Sequence, residues 1–594
     1  MSVFRLVLAF LMVSGCGRWL AAAELAARDV ASPKMAVLIE VNRPIQLIDN
    51  PLGRDVWNLI RETNGLQQFL ASPDADRFRQ AVKFVEKSLG TDWQTGLARL
   101  TAGGIIIVVE PQGSSAEPGV TVVLTAADES ILKQFIEAVQ AELQRSAAAG
   151  NSSSGNGTEK AQKSVVSETK TYRSYDCHRV GNGWFAIAGR QLLVSNGQPQ
   201  LEAALDRVAG AATAQPFDVP ASLRLLDGAG KAAAILITAN LGLLREDPKA
   251  QAAFKLPAND PIPLFLVGGY LDLVRRAEFA AAGLFVDGPA HEIKIRFPVG
   301  TEGAYGGLRG YFASETNESA PRLLQPTGAI FSAGWFRDYK KLWDARSDLL
   351  NADLVKQLEK ENEKGKSEGL HFGISDLVQW IGPQFRLVAA RQRETVYQKK
   401  LDERLPAFAV VIGARDEAAV RDRILGPIEG LLLIAAGRNI EDFKKVEHRG
   451  SRVTTFRFAE KIAEGDPGKA VLLNFNPAWA LAQKQIIIGS TAEIVRDLID
   501  DLERPEAAAG SQNERATDMQ QVSLAEVSEF LMGFQERFVR GAVLEQGLSL
   551  KDAAKDIEVV HHLLKRLGTL TTSNVIAGDH FDINLRLGPA AQAP

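Results

Sequence analysis

The sequence predicts an α+β protein built by tandem duplication of one domain. Each copy would hold a large twisted, mainly antiparallel sheet with helices packed on one face. Two observations lead there. An alternating strand occurs twice, as HEIKIRF at 291–297 and FDINLRL at 581–587, the pattern of a sheet with one covered and one wet face. The match then extends without a gap: LDLVRRAEFAAAGLFVDGPAHEIKIRF (271–297) lies on HHLLKRLGTLTTSNVIAGDHFDINLRL (561–587). Leu273, Arg276, Gly288, Ile293 and Arg296 fall on Leu563, Arg566, Gly578, Ile583 and Arg586.

Other elements match in the same order. The opening strands are PKMAVLIEV (33–41) and PTGAIFSAG (326–334). A helix running into a strand follows, as GLARLTAGGIIIVV (96–109) and DLVQWIGPQFRLVA (376–389). Next, VVLTAADES (122–130) lies on VVIGARDEA (410–418), a strand entering a helix with Asp128 and Asp416 at the N-cap, where a carboxylate accepts the free N–H groups of the first turn. Val180-Gly181-Asn182-Gly183 reads as a hairpin turn. RQLLVSNGQPQLEAALDRV (190–208) lies on KQIIIGSTAEIVRDLIDDL (484–502), where Leu201, Ala204, Leu205 and Val208 match Val495, Leu498, Ile499 and Leu502 as one apolar helix face. The offsets stay between 280 and 294, which defines copies at 33–300 and 326–590 with a linker at 301–325. The polar stretches 144–164 and 504–518 read as loops, and 356–369 as a charged exposed helix.

The N-terminus reads as an export signal over residues 1–23: Arg5, then the apolar run LVLAFLMVSG, then small residues. Ten apolar residues rise only ~15 Å as a helix, about half a bilayer core. Two cleavage readings stay open. Val13-Ser14-Gly15-Cys16 is a lipobox with Cys16 as the acylated residue, whereas Ala21-Ala22-Ala23 suits release of a soluble protein beginning at Glu24. Cys16 and Cys177 are the two cysteines, so no disulfide is expected within the exported chain. The formal net charge of −4 on 594 residues argues against nucleic acid as a partner.

Standard catalytic spacings are mostly missing: there is no HExxH, CxxC, GxSxG or phosphate-binding loop. Gly365-Lys366-Ser367 sits in a charged helical stretch, and Gly181-x-Gly183-x-x-Ala186 sits between strands, so neither is expected to hold a phosphate. His561, His562, Asp579, His580 and Asp582 have metal-ligand character, but the alternation places them on a solvated face. Cys177 and His178, adjacent on a strand, would point to opposite sides. Trp57, Trp93 and Trp380 occupy apolar helix positions, for which core packing is expected.

The stretch WFAIAGRQLLVSN (184–196) followed by LEAALDR (201–207), together with GTDW (90–93) and LTAGGIIIVVEP (100–111), resembles a broad group of exported bacterial, planctomycete-type cell-envelope proteins of unknown function. That group carries no established active site, so the resemblance implies no catalytic residue. The second copy departs from it, with GISD (373–376) in place of GTDW. The expectation is an exported, non-enzymatic cell-envelope protein, structural or partner-binding, located in the periplasm, on the envelope or outside the cell. A carrier of an apolar or lipid ligand and an enzyme with an unfamiliar site are the alternatives. No catalytic, cofactor-binding or metal-binding residue is assigned. The expected partner is an envelope protein or an apolar ligand, with the membrane reached only through an N-terminal anchor.

Overall fold

The computed structural model describes residues 32–589, except 33, 43, 48–50, 62, 64–65, 68–69, 112–117, 152–165, 210–232, 247–250, 255–260, 299–309, 313–317, 368–370, 394–404, 431–439, 464–466, 505–515 and 578. The export-signal positions, Cys16 among them, therefore lie outside the described residues. The chain divides into two compact units, Met1–Ala253 with Ala277–Pro298, and Phe254–Arg276 with Val299–Pro594.

Unit 1 contains β1 (Val37–Val41), β2 (Ile105–Glu110), β3 (Gly119–Thr125), β4 (Val166–Tyr172), β5 (Tyr175–Val180), β6 (Gly183–Ala188), β7 (Gln191–Ser195), β8 (Ile235–Asn240), β9 (Phe279–Asp287) and β10 (Ala290–Pro298). They pair, all antiparallel, in the order β4–β5–β6–β7–β3–β2–β1–β8–β9–β10. Unit 2 contains β11 (Ala329–Phe336), β12 (Ile381–Arg391), β13 (Pro406–Ala414), β14 (Ile440–His448), β15 (Ser451–Phe458), β16 (Ala478–Ala482), β17 (Gln485–Gly489), β18 (Ala516–Ser523), β19 (Thr569–Ile576) and β20 (His580–Gly588). Their order, again all antiparallel, is β14–β15–β16–β17–β13–β12–β11–β18–β19–β20. The α+β class and the large antiparallel sheet are as the sequence predicts.

The expected one-sided helix layer is corrected: helices lie on both faces of the sheet in each unit. On the first face of unit 1, Leu201, Ala204 and Leu205 of the Gln198–Val208 helix pack against Leu38, Val123, Ala186 and Leu193. On the second face, Val85, Leu89, Leu100, Ile131 and Leu132 pack against Phe185 and Leu192. Adjacent residues of β6 and β7 thus enter different cores, which is why WFAIA and the central LLV of β7 are apolar at every position. In unit 2 the first face packs Val495, Leu498 and Ile499 against Val411, Ala480 and Ile487. Its second face packs Val420, Ile424 and Leu425 against Trp479 and Ile486.

Three further expectations change. The Pro261–Arg276 helix lies in the first half of the sequence but belongs to unit 2. The expected linker is not free over its described part: Tyr311, Phe312, Leu323 and Leu324 are buried in that unit. The expected loop at 144–164 begins as helix, since Glu129–Asn151 is continuous through the Ala-rich SAAA, a composition of high helix propensity. By contrast, Asp128 and Asp416 cap as expected, accepting from Ile131 N and Ala419 N, each at 2.9 Å.

Candidate functional site

The clearest candidate is the second face of unit 2 at β13 and β17. LPAFAVVIGA alternates so that Ala407, Ala409 and Val411 enter the first-face core, leaving Phe408, Val410 and Ile412 on the second face. Ile412 is covered by the helical segment after β13 and by Trp380. Among the described residues nothing covers Phe408 and Val410 to that extent: they are 46% and 37% exposed, and neighbouring Ile488 on β17 is 46% exposed. The register sets Leu387, Val410, Ile488 and Trp479 in one row across four strands, with Ala389 beside Phe408. Exposed large apolar side chains in the middle of a sheet are unusual enough to need a physical cause.

Local geometry supplies one. In unit 1 the equivalent central pair is β3–β7, and the Glu129–Asn151 helix that follows β3 runs for 23 residues. Its Ile131, Leu132, Phe135 and Ile136 pack in one cluster with Val194, and Val122, paired with Val194, is buried. In unit 2 the chain after β13 makes one turn of helix, Glu417–Ala419, and passes into a π-helix, Val420–Leu425. Helix then continues over 426–430, with Pro427 near the start of that run. A π-turn inserts an extra residue and shifts which side chains face the sheet beyond it, and Ile428 past it still packs on the second-face core.

The ionisable groups are mostly locked in closed pairs. In unit 2, Arg337 grips both oxygens of Asp518 at 3.0 and 2.8 Å and donates to the carbonyls of Phe336 and Leu266. Burial pushes the Asp518 carboxyl well up and the Arg337 guanidinium down to about 10, while the two-pronged contact is the geometry of an ionised pair. Tyr311, which burial also raises, donates to the Phe265 carbonyl at 3.4 Å. All three side chains are largely buried.

A hairpin clamp recurs in both units. At the β4–β5 turn Arg173 has φ 56° and its Nε donates to Asp206 at 2.7 Å, with Tyr172 donating to the same carboxylate. At the β14–β15 turn Arg449 has φ 50° and its Nε donates to Asp500 at 3.1 Å, with His448 at 2.9 Å. Burial pushes the Asp500 carboxyl up, but the hydrogen bonds and charges of His448 and Arg449 outweigh it and hold it below its ordinary value of 3.8. A depressed folded-state carboxyl adds stability above the unfolded value and loses it as pH falls through the folded one. Amide protection in β14–β15 is therefore expected to hold down to about pH 4 and to weaken below it, by no more than ~1 kcal/mol for so exposed a pair. Hydrogen exchange against pH checks this; Asp500→Asn should remove the acid step, and its persistence in that variant would place the source elsewhere.

No family model matches this chain, and no curated protein matches it. Among solved structures, the chain is similar to the one titled "Structure of crystal form IV of TP0453", at 9% identity, with 46% of this chain and 81% of that chain covered and a TM-score of 0.23. A likeness at that level carries no argument.

The residues singled out in the sequence stay apart. Cys177 is buried in the first-face core of unit 1, and burial, with the Glu202 carboxylate, pushes its thiol up, opposite to a reactive thiolate. His178 points the other way, its ring 5.0 Å from Phe185. His580 bonds Asp579 at 2.6 Å and lies 3.6 Å from Asp582. His561 instead meets Ser528: its Nδ1 lies 2.5 Å and its carbonyl oxygen 2.9 Å from the Ser528 hydroxyl. With Ser528 1% exposed, this pair ties two helices together and offers no nucleophile to a substrate. No cluster of three potential metal ligands occurs among the described residues. Trp57, expected in the core, is half exposed, while Trp93 and Trp380 pack against the second-face cores. A surface cleft of about 340 Å³ is lined by Glu441, Asp442, Arg457, Phe458, Glu460 and Lys461, a mixed-charge lining unsuited to an acyl chain. Sequence reasoning missed Phe408, Val410 and Ile488, since the alternation of PAFAVVIGA says which side chains share a face but not which of them are covered.

Proposed function

We propose that this chain is an exported, non-enzymatic cell-envelope protein that binds a partner through the second face of unit 2, and that its two units descend from one duplicated domain. The observation that carries the binding role is the row of Phe408, Val410 and Ile488, which the described residues leave exposed on interior strands of the sheet. Support for the duplication comes from the common strand order, the paired Asp caps and the paired arginine clamps. A further detail agrees: Val120 N donates to Asn196 Oδ1 at 2.8 Å, and Phe408 N to Ser490 Oγ at 2.9 Å, at the same place in each sheet. Support for export is the N-terminal pattern of Arg5, apolar run and small residues.

The test uses the full-length chain in bacterial cells, with a photo-crosslinking phenylalanine analogue at position 410 or, as an exposed control, at position 544. The expected result is a discrete protein adduct at 410 that is lost on Ile488→Asp, found in the envelope fraction. Native mass spectrometry on the same material gives the opposing outcome. A lipid-sized adduct that survives native spray and is lost on denaturation, with no crosslink at 410, would overturn partner binding in favour of a carrier.

A further inference from the structure

We draw no further inference here: the strongest candidate, the exposed apolar side chains Leu544, Leu550 and Val560 on the paired Gln535–Gln546 and Leu550–Leu567 helices of unit 2, carries nothing because nothing in the structure shows what covers them.

Discussion

Asp518→Ala is expected to cost unit 2 about 3–5 kcal/mol, because it leaves a charged guanidinium buried without its counter-ion. Arg337 is 3% exposed and is packed on rings, its guanidinium carbon 3.8 Å from the centre of Phe312 and 5.3 Å from that of Tyr270. The carbonyls of Phe336 and Leu266 satisfy some of its N–H groups but supply no negative charge. Replacing both members with apolar residues is a different experiment: Arg337→Met with Asp518→Leu removes the desolvation cost of two ions and should recover most of the loss. Calorimetry or urea unfolding, with the transition assigned to unit 2 by hydrogen exchange, checks both. If Asp518→Ala lost under about 1 kcal/mol, the pair would be a surface-like contact and the burial argument would be wrong.

The Arg337 cluster also marks the limit of what could be read from the sequence. Strands, hairpins and caps were legible because their causes are local: period-two alternation in HEIKIRF, the Gly181-Asn182 turn, and the carboxylates of Asp128 and Asp416. The order in which the strands pair was not legible, because it rests on long-range pairings such as β1 with β8 and β11 with β18. The two-sided helix cover was written in IIIVV, WFAIA and the LLV of β7, whose continuous apolar runs mean two buried faces. The alternating strand β10 outweighed them in the sequence reading, although Ile293 there is itself 39% exposed. The packing of the Pro261–Arg276 helix had no local signal at all. Tyr270 bonds Thr517, 247 positions away, at 2.7 Å and stacks on Phe581 at 4.9 Å, and helical periodicity says which side is buried but not against what. The exposure of Phe408, Val410 and Ile488 stayed hidden because it depends on which side chains the covering segment brings down, and a π-turn leaves no reliable mark in one sequence.

Two glycine substitutions in helices should move stability in opposite directions, and the contrast tests how tightly the Pro261–Arg276 helix is seated. A helical Gly→Ala change normally stabilises by up to ~1 kcal/mol, because alanine surrenders less backbone freedom. Gly541 in the Gln535–Gln546 helix has nothing within 4 Å of where a Cβ would stand, so Gly541→Ala should show that gain. At Gly269 a Cβ would stand 2.4 Å from Cδ2 of Phe312. The ring cannot yield: it is fully buried, meets Tyr270 edge-on at 4.7 Å and carries the Arg337 guanidinium on its face. Gly269→Ala must therefore push the helix off the ring, stretching the Tyr270–Thr517 bond and the contact between Arg337 and the Leu266 carbonyl. A net loss of about 1–3 kcal/mol is expected, the usual cost of overpacking a closed core. Thermal unfolding of the two variants beside the parent protein decides it. If Gly269→Ala matched Gly541→Ala in sign, the close approach of helix and ring would not exist in solution, and the seat argued for Asp518 and Arg337 would have to be loosened with it.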